Sequence, residues 1–542
     1  MLLTISKFSG VMPIILDPSF LPDGKSQAAT NCRFDQHGLT PYLADSKDST
    51  PTLTGIKETI FRYYNTATGN QLFFVWPTDV DAVNAPLPND DYVRVFYTEQ
   101  GVLKVTDKNL YNFGGTNYPM AYKLPSPPPP GTPIVATPTV VVGSPPTDIE
   151  TKAYVYTYVN SYGSEGPPSD PSNFVDIYDG NSVALSGMDT GPTEPLYDII
   201  YKRIYRLNQA SDGTSNYQFV AEIAVATTTY ADAMLDAELG ELMASLEWDG
   251  APLGIQGLIA LPNGMLAGFV DNILCLSVPY YPHAWPVSYQ KAVDRDIVAI
   301  GAYGTTIVVV TKGQPYLSVG NDPANMVLEK MDIGFSCMSK RGLIQMGDII
   351  AYPSPEGLVV IGPQVHEVVT AKLLTMDQWI NTYNPSTISA YYWQGKYIGF
   401  YTSSGYQGGF MMDLKTGDFL DLAFYATAGY HDKTNGVLFL QIDDDIMAFG
   451  QATGAYRDYN FLTKRYKYRK NAFTCVKILA ATYPVNIDII YPEIPYTIPV
   501  VVEGSEPFRI PTMLSEAMEV RITGAAKVYT IFLAGAIEEL PA

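Results

Sequence analysis

From Gln256 onward the sequence repeats itself, and the length of that repeat limits the possible folds more than any other feature. Five strand-rich units, "GLIALPNGMLAGFVDNILCLSV", "IVAIGAYGTTIVVVTKGQPYLSVG", "LIQMGDIIAYPSPEGLVVIG", "ISAYYWQGKYIGFYTSSGYQGGFMMDL" and "AGYHDKTNGVLFLQIDDDIMAFG", begin near Gly257, Ile297, Leu343, Ile388 and Ala428, a spacing of 40 to 46 residues. Each reads as an apolar strand, a tight turn and a second apolar strand. The turns are Asn263-Gly264, Tyr303-Gly304, Glu356-Gly357, Gln394-Gly395 and Asn435-Gly436, and residues of this kind supply the positive φ that a two-residue hairpin demands. A period of this length suits one four-stranded propeller blade.

Upstream, "ETIFRYYNTATGNQLFFVWP" and "YVRVFYTEQGVLKVTD" each read strand, turn, strand, and with "GLTPYL" they give about two further blades. The expected fold is therefore mainly β: a propeller of about seven blades, drawn from residues 1–123 and 251–470. Composition agrees, because 40 tyrosines, 44 glycines and 41 prolines favour short strands and tight turns over long helices.

Residues 124–250 interrupt the repeat. "LPSPPPPGTP" imposes an extended, semi-rigid spacer. "KAYVYTYVNSYGSEGPPSDPS" then alternates aromatic and branched residues before a Gly/Pro/Ser-rich loop, "IIYKRIYRL" and "YQFVAEIAV" add two strands, and "TTTYADAMLDAELGELM" predicts a short closing helix. The tyrosine strand with its Gly-Ser-Glu-Gly-Pro-Pro-Ser run resembles fibronectin type III domains, which implies an inserted β-sandwich. A module whose ends lie close together interrupts a surface loop at little entropic cost. Residues 471–542 alternate strands and turns and read as a small C-terminal β-domain.

The formal charge is -21, from 34 basic and 55 acidic residues, which excludes a surface that wraps nucleic acid through released counterions. No unbroken apolar run is long enough for a membrane-spanning helix, and the N-terminus lacks a basic region ahead of its apolar run, so no signal peptide is expected. Cys32, Cys275, Cys337 and Cys475 are scattered and read as single buried thiols, while His37, His283, His366 and His431 are too isolated for a local metal site. Gly24-Lys25-Ser26 has the ending of a phosphate-binding loop. Ser19 stands where the loop needs its first glycine, so that motif is incomplete.

Three further patterns carry candidate chemistry. Asp443 to Asp445 are consecutive, whereas a calcium loop spaces its ligands at alternate positions, so a hairpin turn is expected. Glu356 and Asp413 are carboxylates at turns, with no local pattern to pair them for glycoside hydrolysis. No catalytic, cofactor-binding or metal residue is assigned. "KRYKYRK", residues 464–470, is the densest basic run; as a regular strand it places Lys464, Tyr466, Tyr468 and Lys470 on one face and Arg465, Lys467 and Arg469 on the other. Such a ribbon can hold phosphates and stack bases, but on so acidic a chain a contact with another subunit is the expected role of Arg465, Lys467 and Arg469.

"AATNCRFDQHGLTPY", "YNFLTKRYKYRKNAFTCVKI" and "MEVRITGAAKVYTIFLAGAIEEL", in that order around a propeller, resemble the tail nozzle (tail tubular) proteins of short-tailed bacteriophages. The match departs at Tyr42, where an Arg often stands, and near Tyr459, where a Trp often stands. The resemblance implies a non-enzymatic virion protein without cofactors, made in the host cytoplasm and built into the phage tail as a six-fold ring that conducts the genome. It also implies neighbours among tail adaptor and tail fibre proteins, transient passage of phage DNA without specific binding, and proximity to the host cell surface. The alternative reading is a propeller-based adhesin that recognises host surface glycan; a propeller hydrolase is a third, with no residue pair to support it.

Overall fold

The computed structural model describes residues 1–34, 37–66, 68–111, 121–139, 149–178, 181–209 and 214–541. The fold is mainly β. Three of the repeat units are four-stranded antiparallel sheets, opening with strands Gln256–Ala260, Ile297–Tyr303 and Ile344–Met346. The unit opening with Ser389–Trp393 also has four antiparallel strands, but its last strand, Asp418–Leu422, joins Ser26–Thr30 in a larger sheet that holds the C-terminal strands. The fifth, opening with Ala428–Asp432, has three strands of its own and takes Ser46–Ser49 as its fourth. Inner strands such as Ile349–Ser354 and Gly357–Gly362 are almost wholly buried because both faces of each sheet are covered, so they read as continuous apolar runs rather than alternating ones. Between Trp393 and Lys396 the chain turns in two residues, with Gln394 at φ 48° and Gly395 at φ 80°, the conformation expected of that dipeptide.

Upstream, Thr59–Asn65 pairs with Asn70–Trp76, and Asp81–Asn84, Val95–Glu99 and Val102–Thr106 form a three-stranded sheet. Neighbouring sheets share apolar cores. Phe61, Phe74 and Trp76 pack with Val95 and Tyr97, while Ile60, Phe73 and Val75 pack with Ala428, Phe439 and Ile446 of the last repeat unit. The upstream hairpin is thus packed on the last repeat unit.

Residues 1–43 depart from the expected division. Leu2–Ile5 pairs with Val528–Ala534, and Ser26–Thr30 pairs with Tyr459–Thr463. "GLTPYL" forms no blade: Thr40–Pro41 is the return of a short hairpin with Cys32–Arg33. The cause is apolar packing, since Ile5, Val11, Ala29, Cys32 and Leu39 are all buried in the core that holds the C-terminal strands. Of the motif "AATNCRFDQHGLTPY", residues 35–36 lie outside the described residues. Asn31 and Gly38 both take positive φ, as a turn there requires, and a Cβ at Gly38 would stand 2.6 Å from the Val528 carbonyl oxygen.

The interrupting module packs two three-stranded sheets face to face. One is Val135–Pro138, Val183–Ser186 and Tyr230–Asp232; the other is Tyr154–Asn160, Ile199–Gln209 and Ser215–Ala224. Tyr154, Tyr156 and Tyr158 fill its core with Val183, Leu185 and Ile204. The Gly/Pro/Ser-rich run lies along the tyrosine strand, with the N–H groups of Gly166, Ser169 and Ser172 donating to the carbonyls of Tyr158, Tyr156 and Tyr154. It covers a strand edge that would otherwise be open to pairing. The helix expected in 227–243 is instead the strand Tyr230–Asp232 and one turn, Asp236–Glu238. The carboxylates of Asp232 and Asp236 are both taken by buried Arg206, at 2.7 Å each, which fixes the segment against the sheet.

Nor is the proline stretch a free spacer. Pro125, Pro127 and Pro130 are buried, and Gly166 lies so close to Pro127 that a Cβ there would meet its carbonyl oxygen at 2.4 Å.

Candidate functional site

The basic run 464–470 enters the strand Tyr466–Ala480, which pairs with Phe508–Gly524. The alternation expected of a regular strand fails here. Between Lys467, opposite Ala517, and Asn471, opposite Ser515, four residues on one strand advance against two on the other. A bulge of this kind re-aims side chains. Tyr466 and Tyr468 turn toward the core, Tyr468 Oη sharing a 2.6 Å hydrogen bond with Ser515 Oγ, while Lys467, Arg469 and Lys470 all stand exposed. Lys470 therefore joins Lys467 and Arg469 instead of sharing the tyrosine face.

Arg465 goes elsewhere. It lies before the strand and donates to the buried carboxylate of Glu519 at 2.7 Å, so within the chain it is a structural partner. Lys464 is tied to Asp23 at 3.0 Å, and Lys467 reaches Asp17 at 3.6 Å. Among the described residues, Arg469 and Lys470 have no ion partner. Leu514, on the facing strand opposite Ala472, is 54% exposed, so the ribbon presents apolar surface beside its cations.

A second polar cluster lies where the sheets converge. A cavity of about 320 Å³ is lined by residues from the openings of the sheets, among them Thr59, Asp81, Gly257, Gly301, Gln345, Tyr391 and Gly429. Lys340 sits in it and pairs with Asp79 at 2.9 Å and Asp81 at 2.8 Å. Burial works against its charge, but the two carboxylates outweigh that and hold the ammonium pKa above its usual value. Arg341 beside it donates to the carbonyls of Glu58 and Thr427. These two side chains brace sheets far apart in sequence and line the cavity where the sheets converge. No periodic pattern marks them, since both precede a strand in the turn Lys340–Gly342.

The remaining candidates have local structural roles. Lys25 of the Gly-Lys-Ser triplet is held by Asp418 at 3.3 Å, which also accepts from the Gly10 N–H and the Ser9 hydroxyl. Asp443, at φ 52°, and Asp444 make a hairpin turn; Asp444 takes Lys57 at 3.2 Å and Asp445 takes Lys47 at 2.9 Å. The Lys47 pair secures the Ser46–Ser49 strand to the last repeat sheet, and the Lys57 pair secures the segment that follows it. Asp413 pairs with Lys396 and caps its own turn, whereas Glu356 accepts from Ser354 in a different sheet. All four cysteines are buried free thiols. His283 is buried at the base of the sandwich module, where its Nε2–H donates to the Glu165 carbonyl at 3.0 Å.

Among the described residues, no helix is long and apolar enough to cross a membrane, and no group of three or more His, Cys, Asp or Glu is placed to hold a metal ion. No protein-family model and no curated protein matches the chain. Among solved structures it is similar to the Dos1 propeller, at 10% identity over 77% of this chain and 97% of that one, TM-score 0.29. It is also similar to the extracellular domain of a one-component system from B. thetaiotaomicron, at 8% identity over 94% and 81%, TM-score 0.28. The CNH domain of AfRom2 aligns at 8% identity over 58% and 93%, TM-score 0.24.

Proposed function

We propose that this chain is a structural, non-enzymatic virion subunit, one of a ring that forms the nozzle at the distal end of a short phage tail and conducts the genome into the host. The observation that carries the reading is the bulged ribbon. On a chain of net charge -21, Lys467, Arg469 and Lys470 stand exposed together beside Leu514, and a second acidic copy is the partner of matching charge. The order of the three motifs that resemble tail nozzle proteins supports the same reading and implies six copies.

In this reading the chain is a seven-bladed propeller with a fibronectin type III-like insertion. Seven segments from successive sheets line the axial cavity, which supports that blade count. Lys340 and Arg341 fill the axis, so DNA passes through the hole between subunits and not through a propeller. A ring of strongly acidic chains repels the phosphate backbone from its wall, and the genome slides without binding. The tail adaptor, the tail fibres and the host surface are the remaining partners.

The test is assembly. Reversing Lys467, Arg469 and Lys470 together to Glu is expected to abolish the ring, as read by sedimentation velocity, while thermal unfolding of the monomer stays unchanged because these side chains are exposed. Rings that form undiminished from the triple variant would remove the ribbon from the interface.

A further inference from the structure

A cleft of about 800 Å³ opens where three hairpin ends meet. It lies between the Thr59–Asn65 and Asn70–Trp76 hairpin, the segment linking Asp81–Asn84 to Val95–Glu99, and the turn after Ala428–Asp432. Its volume falls in the range of small-ligand sites.

The charges in its described lining cancel in pairs. Arg62 is held by Asp432 at 3.1 Å, with its guanidinium 4.6 Å from the centre of the Phe439 ring. Arg94 is held by Asp90 at 3.0 Å, and its guanidinium stands 5.2 Å from the Tyr162 ring. All four charged side chains are mostly buried, so the pairs are fixed features of the wall and not mobile surface groups. The side chains of Asn84 and Asn89 make no hydrogen bond among the described residues. Tyr64, on the rim, is 49% exposed.

We propose that this cleft binds a neutral oligosaccharide. Paired ions offer no net charge to a phosphate or a polyanion, and an apolar ligand would leave the amides without hydrogen bonds, at a cost for each group. Vicinal hydroxyls, each both donor and acceptor, match a wall whose amides are free and whose charges are paired. The exposed face of Tyr64 supplies a flat apolar surface for the C–H face of a sugar ring. The inference does not rest on the ring reading, since the cleft is formed within one chain.

The experiment is isothermal titration of the full chain with maltotetraose, cellotetraose and mannotetraose, with sialyllactose and inorganic phosphate as charged controls. At least one neutral tetrasaccharide is expected to bind saturably. Tyr64→Ala and Asn84→Ala, both at exposed positions, are each expected to weaken it by about tenfold with the melting profile unchanged. No heat from any neutral tetrasaccharide would overturn the proposal. So would binding that both variants leave intact, or tighter binding of either charged control.

Discussion

Lowering the pH should loosen the sandwich module from the sheet on which it sits, and a single histidine sets the size of the effect. His283 is fully enclosed between the module and the sheet that opens with Gln256–Ala260; its Nε2–H donates to the Glu165 carbonyl, and Trp248 and Tyr281 pack against its ring. Burial, with a smaller contribution from nearby Arg94, lowers its pKa from 6.5 to about 4. The fold therefore favours the neutral imidazole. That stability is fully present above the unfolded value near 6.5 and is lost as the pH falls toward about 4. The whole shift corresponds to about 3 kcal/mol, of which about 2 kcal/mol disappears between pH 7 and pH 5.

The assay is thermal unfolding of the wild type and of His283→Gln at both pH values. Gln retains a side-chain N–H for the Glu165 carbonyl but does not titrate. Other carboxylates titrate equally in the two proteins and cancel in the difference. The wild type is expected to lose about 4–8 °C more than the variant in the transition that includes the module. Identical pH dependence in the two proteins would refute the reasoning, because it would mean that His283 is hydrated or already charged.

Other substitutions separate the structural roles. Lys340→Met leaves Asp81 without its cation and Asp79 with only the Arg341 guanidinium at 3.9 Å, and is expected to cost about 2–4 kcal/mol, read by chemical denaturation, with the loss relieved when both aspartates are changed to Asn. Arg465→Met strands the buried carboxylate of Glu519 and is expected to destabilise the terminal domain by about 1–3 kcal/mol; an effect on assembly without loss of stability would return Arg465 to the interface. Gly166→Ala drives a Cβ against the Pro127 carbonyl and is expected to cost about 1–3 kcal/mol, measured as a lowered melting temperature and faster proteolysis in the proline stretch.

Where local chemistry determines structure, the sequence was informative. The five repeat units were legible because each hairpin carries its own turn residues and its strands are apolar enough to stand out. The tyrosine strand of the module was legible for the same reason. Four elements were hidden by long-range partners. Ser46–Ser49 is short and polar, and it becomes a strand only because Asp445–Ala448 offers an edge almost 400 residues away. Asp81–Asn84 shows no alternation because it is half-exposed along its length. The alanine- and acid-rich stretch after Tyr230 has helix-forming composition, but Arg206 claims its carboxylates. Residues 1–43 look like further blade material until Ile5, Val11 and Ala29 are seen in the terminal core.

For the candidate site, the basic run was visible from its charge, but its geometry was not. A bulge depends on the register of the partner strand, and nothing within 464–470 reports that Ser515 and Ala517 face it. Nor does local sequence show that Arg465 has Glu519 within reach. Lys340 and Arg341 look like ordinary surface cations, and only the convergence of the sheets makes them a brace between them.

The most direct measurement of the conduit proposal is the mass of the purified chain by light scattering, taken beside negative-stain images of the same fraction. A ring with a central hole and a mass near six times the 59.5 kDa chain is the expected result. A particle that stays at the mass of one chain at every concentration, with no ring in the images, would contradict it.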